Sequence, residues 1–202
     1  MKKILLGLTI LLVSLPVFSQ KEDESKTKLA RAAEAMRGKR YLEAEQIYQS
    51  IVNENPDDIS TKQLLCHALI NEEKFLQADS MLRRMQEADS NNVGNYWYMG
   101  ISAQKQHQDS LRVLYFKRYI KKTENSLNQQ PKAWLFVGSA YRLMMHTKGI
   151  NIGQYDDMVY HYNRYLQLSP EDLYGGELKM FLENVALKKP EKNGVLVWDE
   201  AK

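Results

Sequence analysis

Sliding the chain along itself by 34 residues lays Phe75 on Tyr41, Ala78 on Ala44, Leu82 on Tyr48 and Met85 on Ile51. No other feature of the sequence limits the fold so strongly. A unit of this length is a helical hairpin that cannot cover its own apolar face, so each hairpin must stack on the next and the chain builds a solenoid. Such a surface is suited to holding another molecule. The repeat alone does not say which one.

Local punctuation sets the repeat boundaries. In the first hairpin Leu29, Ala32, Ala33 and Met36 recur at helical spacing as far as Gly38-Lys39, and Tyr41, Ala44, Ile47, Tyr48 and Ile51 continue it as far as Asn55-Pro56. The residue before a proline resists helical geometry, and Asp57, Asp58 and Ser60 stand ready to cap the next helix. The second hairpin carries Leu64, Leu65, Ala68 and Leu69, a turn over 71–74, then Phe75, Ala78, Leu82 and Met85. The third opens with Tyr96, Met99, Gly100 and Ala103, and its second helix is expected to bury Leu111, Leu114, Tyr115 and Tyr119. The fourth opens with Trp134, Val137, Gly138 and Tyr141 and resumes with Tyr155, Met158, Tyr162, Tyr165 and Leu166. It needs about eight extra positions, and lost periodicity with Gly149 and Gly153 places them in an inserted loop over 146–153.

The expected organisation is a leader over 1–19, a flexible lead over 20–25 and a solenoid over 26–187. Its units are about 25–58, 59–92, 93–130 and 131–172, followed by a cap helix over 173–187. Leu173, Leu178, Phe181, Leu182 and Val185 form the apolar side of that cap, which would cover the last hairpin's exposed face. Residues 188–202 read as a tail. Its apolar patch, Val195 to Trp198, either docks on its own solenoid or is offered to another chain as a strand or peptide.

The N-terminus reads as an export signal, with an uncleaved anchor as the rival reading that its short length and Pro16 disfavour. Lys2 and Lys3 precede an apolar run from Ile4 to Val13, and small Ser19 before Gln20 marks the expected cleavage point. The stretch to Phe18 is shorter than the ~20 residues of a spanning helix, so no membrane span is expected after cleavage. The lone cysteine, Cys66, lies far from the cleavage point, so the mature chain is not expected to be a lipoprotein. The expected location is periplasmic or secreted. One cysteine cannot form an internal disulfide, and Cys66 falls at a crowded helix contact where burial would protect it.

Removing Lys2 and Lys3 lowers the basic residues from 28 to 26 against 25 acidic ones, so the net charge falls from +3 to about +1. Nucleic-acid binding, which requires many phosphates to be neutralised, is not expected. The cluster Lys117, Arg118, Lys121 and Lys122 reads as a solvated helix face. No catalytic, metal or cofactor site is expected. His67, His107, His146 and His161 are scattered, Cys66 and His67 point in different directions on a helix, and Gly149 to Gly153 lacks the Lys-Ser/Thr of a phosphate loop.

Trp134, Val137, Gly138 and Tyr141, with Tyr155, Tyr162 and Pro170 after them, resemble the tetratricopeptide repeat (TPR) pattern. Tyr96, Met99, Gly100 and Ala103 match its first helix. Tyr41, Ala44, Tyr48 and Pro56, and Phe75, Ala78 and Leu82, match its second. Lys28 and Arg31 occupy places that are normally apolar, which suits an end cap. The resemblance spans roughly residues 25–172 and implies an all-α, right-handed superhelical solenoid of about four helix-turn-helix repeats plus a C-terminal capping helix.

It also implies a non-catalytic adaptor that grips a peptide or helix of a partner protein in its concave groove, and the export signal would place that adaptor in the bacterial cell envelope. The implied groove positions are Met36, Arg37, Gln63, His67, Ile70 and Asn71 in the first half of the chain. In the second half they are Trp97, Ile101, Gln104, Lys105, Leu135, Ser139, Arg142 and Leu143. Trp97 is the foremost candidate, with packing beside Tyr96 and Tyr98 as its other reading. Leu29 and Ala33 stand where the family's carboxylate clamp would need Lys and Asn. The alternative is a structural subunit that meets its partner through the outer face, the 146–153 loop or the tail, and ligand sensing or transport is a weaker third reading. The identity of the partner and the oligomeric state are not legible.

Overall fold

The computed structural model describes residues 24–126, 129–173 and 175–198. The expected leader lies outside them, as do residues 20–23 and 199–202. Helix α1 covers residues 24–37, followed by α2 (Tyr41–Glu54), α3 (Ile59–Asn71), α4 (Phe75–Ala88), α5 (Val93–Lys105) and α6 (Asp109–Thr123). After α7 (Lys132–Thr147) come the short strand β1 (Ile150–Asn151), α8 (Ile152–Leu168), α9 (Gly175–Ala186) and β2 (Val195–Leu196). The contacts cluster into two compact units, Met1–Ala78 and Asp79–Lys202.

In the first unit α2 packs on α3. Ala32, Ala35, Ala44, Leu65, Cys66, Ala68 and Ala78 are all fully buried, because small side chains let helices approach closely. The Cys66 thiol lies among them, 3.9 Å from the Ala78 carbonyl oxygen. Asp58 caps α3, accepting hydrogen bonds from the Thr61 backbone N–H at 3.0 Å and hydroxyl at 2.6 Å. Lys28 and Arg31 reach from α1 to α2, where Lys28 pairs with Glu54 at 2.7 Å and Arg31 with Glu43 at 3.1 Å. Donating hydrogen bonds to Glu54 and Glu24 raises the Lys28 pKa, and accepting them from Arg40 and Arg31 lowers that of Glu43. Glu24 and Ser25, expected in the flexible lead, belong to α1. Their stretch lacks an apolar period, but the Glu24–Lys28 pair one turn apart ties it to the helix at 3.1 Å.

In the second unit α5 packs on α6, α6 on α7, α7 on α8, and α9 against α8. A side chain on Gly100 would put its Cβ 2.7 Å from the Phe116 ring, and one on Gly138 would meet the Tyr162 ring at 2.6 Å. These glycines therefore fix the distance between the two helices of each hairpin. Fully burying a ring such as that of Phe116 contributes about 1.5–3 kcal/mol, so each joint pairs a large apolar side chain with the space left by a missing one.

Four described hairpin turns share one device. The residue two positions past the first helix takes left-handed geometry: Lys39 at φ 57°, Glu73 at 60°, His107 at 56° and Gly149 at 80°. The backbone then bends back and returns N–H groups to the last carbonyls, as from Lys74 to Leu69 at 2.9 Å and Gln108 to Ala103 at 2.8 Å.

Three further expectations about the fold differ from the structure. In α6 the buried face is Val113, Phe116, Tyr119 and Ile120 with Arg112 and Thr123, whereas Leu111 and Leu114 are exposed. Residues 146–153 are not a loop. Helix α7 continues through Thr147, and α8 begins at Ile152 under a reciprocal capping box between Asn151 and Gln154. Leu173, expected on the buried side of the cap helix, precedes α9 and is 96% exposed, while Leu178, Phe181 and Val185 are buried.

Candidate functional site

The groove positions differ in their surroundings. In the first unit Arg37 is exposed, and Met36, Gln63, His67 and Asn71 are half-buried. The Asn71 amide donates to the His67 carbonyl at 2.9 Å. Ile70 is fully buried, so it belongs to the core rather than to a groove floor, which corrects its expected role.

In the second unit Trp97 is a half-buried packing residue. Its ring lies 5.5 Å from Phe116, 5.3 Å from Tyr119 and 5.9 Å from Phe136, and joins an aromatic cluster that links α5, α6 and α7. Ile101 and Leu135 also pack against the core, and Gln104 Oε1 is buried with no hydrogen-bond partner among the described residues. Ser139 is held by the buried Arg112 guanidinium and donates to the Phe136 carbonyl at 3.2 Å. Arg112 occupies the place that alanine holds in Ala44 and Ala78. Burial lowers its pKa against the nearby Asp109 carboxylate, and it lies 5.7 Å over the Phe136 ring. Arg142 is covered by α9, with its guanidinium 4.1 Å over the Phe181 ring. Lys105 and Leu143 remain open to solvent.

The two unusual segments of the sequence meet each other. Strand β2 pairs antiparallel with β1, Ile150 opposite Leu196 and Asn151 opposite Val195. The Trp198 N–H donates to the Met145 carbonyl at 3.3 Å, and the Trp198 carbonyl lies 2.6 Å from His146 Nδ1. A carbonyl only accepts, so Nδ1 carries the proton. The Trp198 ring stacks on Phe181 at 5.9 Å beneath the Lys188 ammonium at 4.1 Å. Gly149 makes this possible, because a Cβ there would run into Val195. For Val195 to Trp198, docking on the chain's own helices is the arrangement observed.

A further surface has no counterpart among the sequence expectations. Helices α6 and α8 flank a cleft of about 720 Å³ whose floor includes Trp134 and Tyr141 from α7. On its α8 side Asp157 accepts hydrogen bonds from Lys117 at 2.6 Å and from the Tyr141 hydroxyl at 2.9 Å. Burial opposes ionisation of Asp157, but these two donors outweigh it and hold its carboxyl below the usual value. Burial and the Asp157 hydrogen bond raise the Tyr141 pKa. His161 Nδ1 donates to the Asp157 carbonyl at 2.7 Å, which fixes the neutral tautomer with Nε2 as acceptor, and burial lowers its pKa. Among the described residues no group of three His, Cys, Asp or Glu could hold a metal ion, and no helix is long and apolar enough to cross a membrane.

Stacked hairpins with small residues at the joints and left-handed turns define an all-α helical-repeat solenoid of the TPR type. Comparison with solved structures supports this class. The chain is similar to a MamA protein, the RS-1 ArsTM double mutant, at TM-score 0.61 and 15% identity over 84% of this chain and 87% of that one. MamA of AMB-1 matches at TM-score 0.58 and 13% identity over 85% and 87%. The Arabidopsis OM64 TPR domain matches at TM-score 0.50 and 16% identity over 59% of this chain and 96% of that one. No family model matches the chain. No curated protein matches it.

Proposed function

We propose that this protein is an exported, non-catalytic adaptor of the bacterial cell envelope that binds a segment of a partner protein on its first-helix surface. The observation that carries this reading is the TPR-type fold, matched by the OM64 TPR domain over 59% of the chain, since stacked hairpins of this type serve as protein-interaction modules. Export rests on the basic and apolar leader before Ser19. Lys105 and Leu143 are the accessible contact points of the second unit, with Arg37 in the first.

One experiment tests both halves. In a bacterial host the mature protein should start at Gln20 and fractionate outside the cytoplasm, and a photoreactive residue at position 143 should capture a partner severalfold less well in Lys105→Glu. Retention of residues 1–19 in the cytoplasm would overturn export. If Lys105→Glu keeps the partner while removal of residues 190–202 releases it, the first-helix surface is not the binding site. The second reading, contact through the outer face, draws support from the open cleft between α6 and α8.

A further inference from the structure

We infer that the cleft between α6 and α8 is a second binding site, shaped for a protein segment that carries acidic side chains beside a bulky apolar one. The inference rests on the adaptor reading but assigns a surface and a partner chemistry of its own.

Shape argues for a chain segment. One wall runs from Ser110 on α6 to Glu124, the residue that caps its C-terminus, close to four helical turns, which makes a trough roughly 21 Å long at 1.5 Å per residue. About six or seven residues of extended chain span that length. The trough has an apolar lining formed by Val113, Ile120 and Trp134, with Leu114 and Tyr160 standing at its edge, 40% and 57% exposed. The Tyr160 ring meets Trp134 edge-on at 5.8 Å, so the most exposed aromatic of the site is held upright on a buried one.

Charge argues for acids. Lys117 is committed to Asp157, and this pair neutralises itself. Of the other charged groups lining the trough, Arg118 lies 5.8 Å over the Tyr96 face, and neither it nor Lys121 has an ion-pair partner among the described residues. Both cations are exposed on α6, opposed by the single carboxylate of Glu124. An occupant with an apolar anchor and flanking carboxylates would bury the first on Leu114 and Tyr160 and pair the second with Arg118 and Lys121. The solvated face expected from the sequence is thus also the rim of a trough.

The test uses the full mature chain and an array of seven-residue peptides, each with Phe, Trp, Leu or Met at the centre and Asp or Glu on both sides. A second array carries Lys in place of the acids. The protein should bind acidic peptides above the Lys array, and Arg118→Glu with Lys121→Glu should weaken the best of them about tenfold or more. Tyr160→Ala should weaken it with its charge response intact, while Leu143→Glu should leave it unchanged. Equal binding to both arrays, or no effect of the double variant while its melting curve is unaltered, overturns the site. Tighter binding of a 20-nucleotide single-stranded DNA than of any acidic peptide also overturns it, because the rim would then be reading phosphate. Loss of peptide binding in Leu143→Glu alone rejects the cleft and leaves the adaptor reading standing, whereas failure of every peptide with intact capture from position 143 rejects only the cleft.

Discussion

Hairpins α5–α6 and α7–α8 close on the same joint by different routes. Gly100 meets Phe116 in the first and Gly138 meets Tyr162 in the second, so the spacing grows from 16 residues to 24 while the contact persists. The extra eight lie at the far end of the hairpin. Four lengthen α7 past its glycine, three lengthen α8 before its tyrosine, and one enters the turn. Additions of three or four residues keep a helix face nearly in place, which is why an insertion of this size leaves the joint intact. The longer hairpin projects beyond its neighbour, and its turn becomes the edge on which β2 pairs.

The largest expected effect tests whether the two joints are equivalent. Gly100→Leu and Gly138→Leu should each destabilise the protein by about 1–3 kcal/mol through overpacking. Denaturant midpoints at constant slope would measure this, and a joint that tolerates leucine would show that the match between hairpins is only apparent. A smaller effect separates the turns. Gly149→Ala should cost about 1–2 kcal/mol, because it combines left-handed strain with a collision against Val195, whereas His107→Gly should gain a few tenths to about 1 kcal/mol by relieving strain alone. Opposite signs in thermal melts would confirm that only the longer hairpin's turn carries the tail.

The smallest effect is a pH slope confined to α7–α8. Burial depresses the folded pKa of His161 below the ordinary 6.5, even beside Asp157, with Lys117 adding to the depression. On acidification the unfolded chain therefore takes up the proton first. Stability from this group is complete above pH 6.5 and is lost as the pH falls below it toward the folded value. Melting temperatures from pH 8 to 5 should show that decline, and His161→Gln should flatten it.

Much of the architecture is legible in the sequence, and the misses have physical causes. The 34-residue echo works because the joint needs a small residue against a large one, and Gly100 and Gly138 make that need visible. It fails in α6, where Arg112 stands in place of the alanine and conceals the register. The spacing from Gly100 to Phe116 carries the missing signal, since Ala32 and Tyr48 stand at the same separation. The strand pair β1–β2 is not readable, because two residues are too few to alternate and the partners are far apart in sequence. Among site residues, Ile70 and Trp97 are placed by family geometry, which knows the helix face but not how deeply a neighbour covers it. Arg142 reads as an open cation in the sequence because the position of α9 over it is a tertiary fact.

The clasp between β1 and β2 changes how the end of the chain behaves in time. Contacts in stacked hairpins are mostly local, so terminal elements would ordinarily fray first and expose their amides to exchange. Here His146 and Trp198 touch across 52 residues of sequence. That closure ties the last hairpin, α9 and the tail into one cooperative block that must open together. Deuterium uptake at Ile150 and Leu196 should then follow the slow amides of α8 and not the quick exchange of a loose terminus.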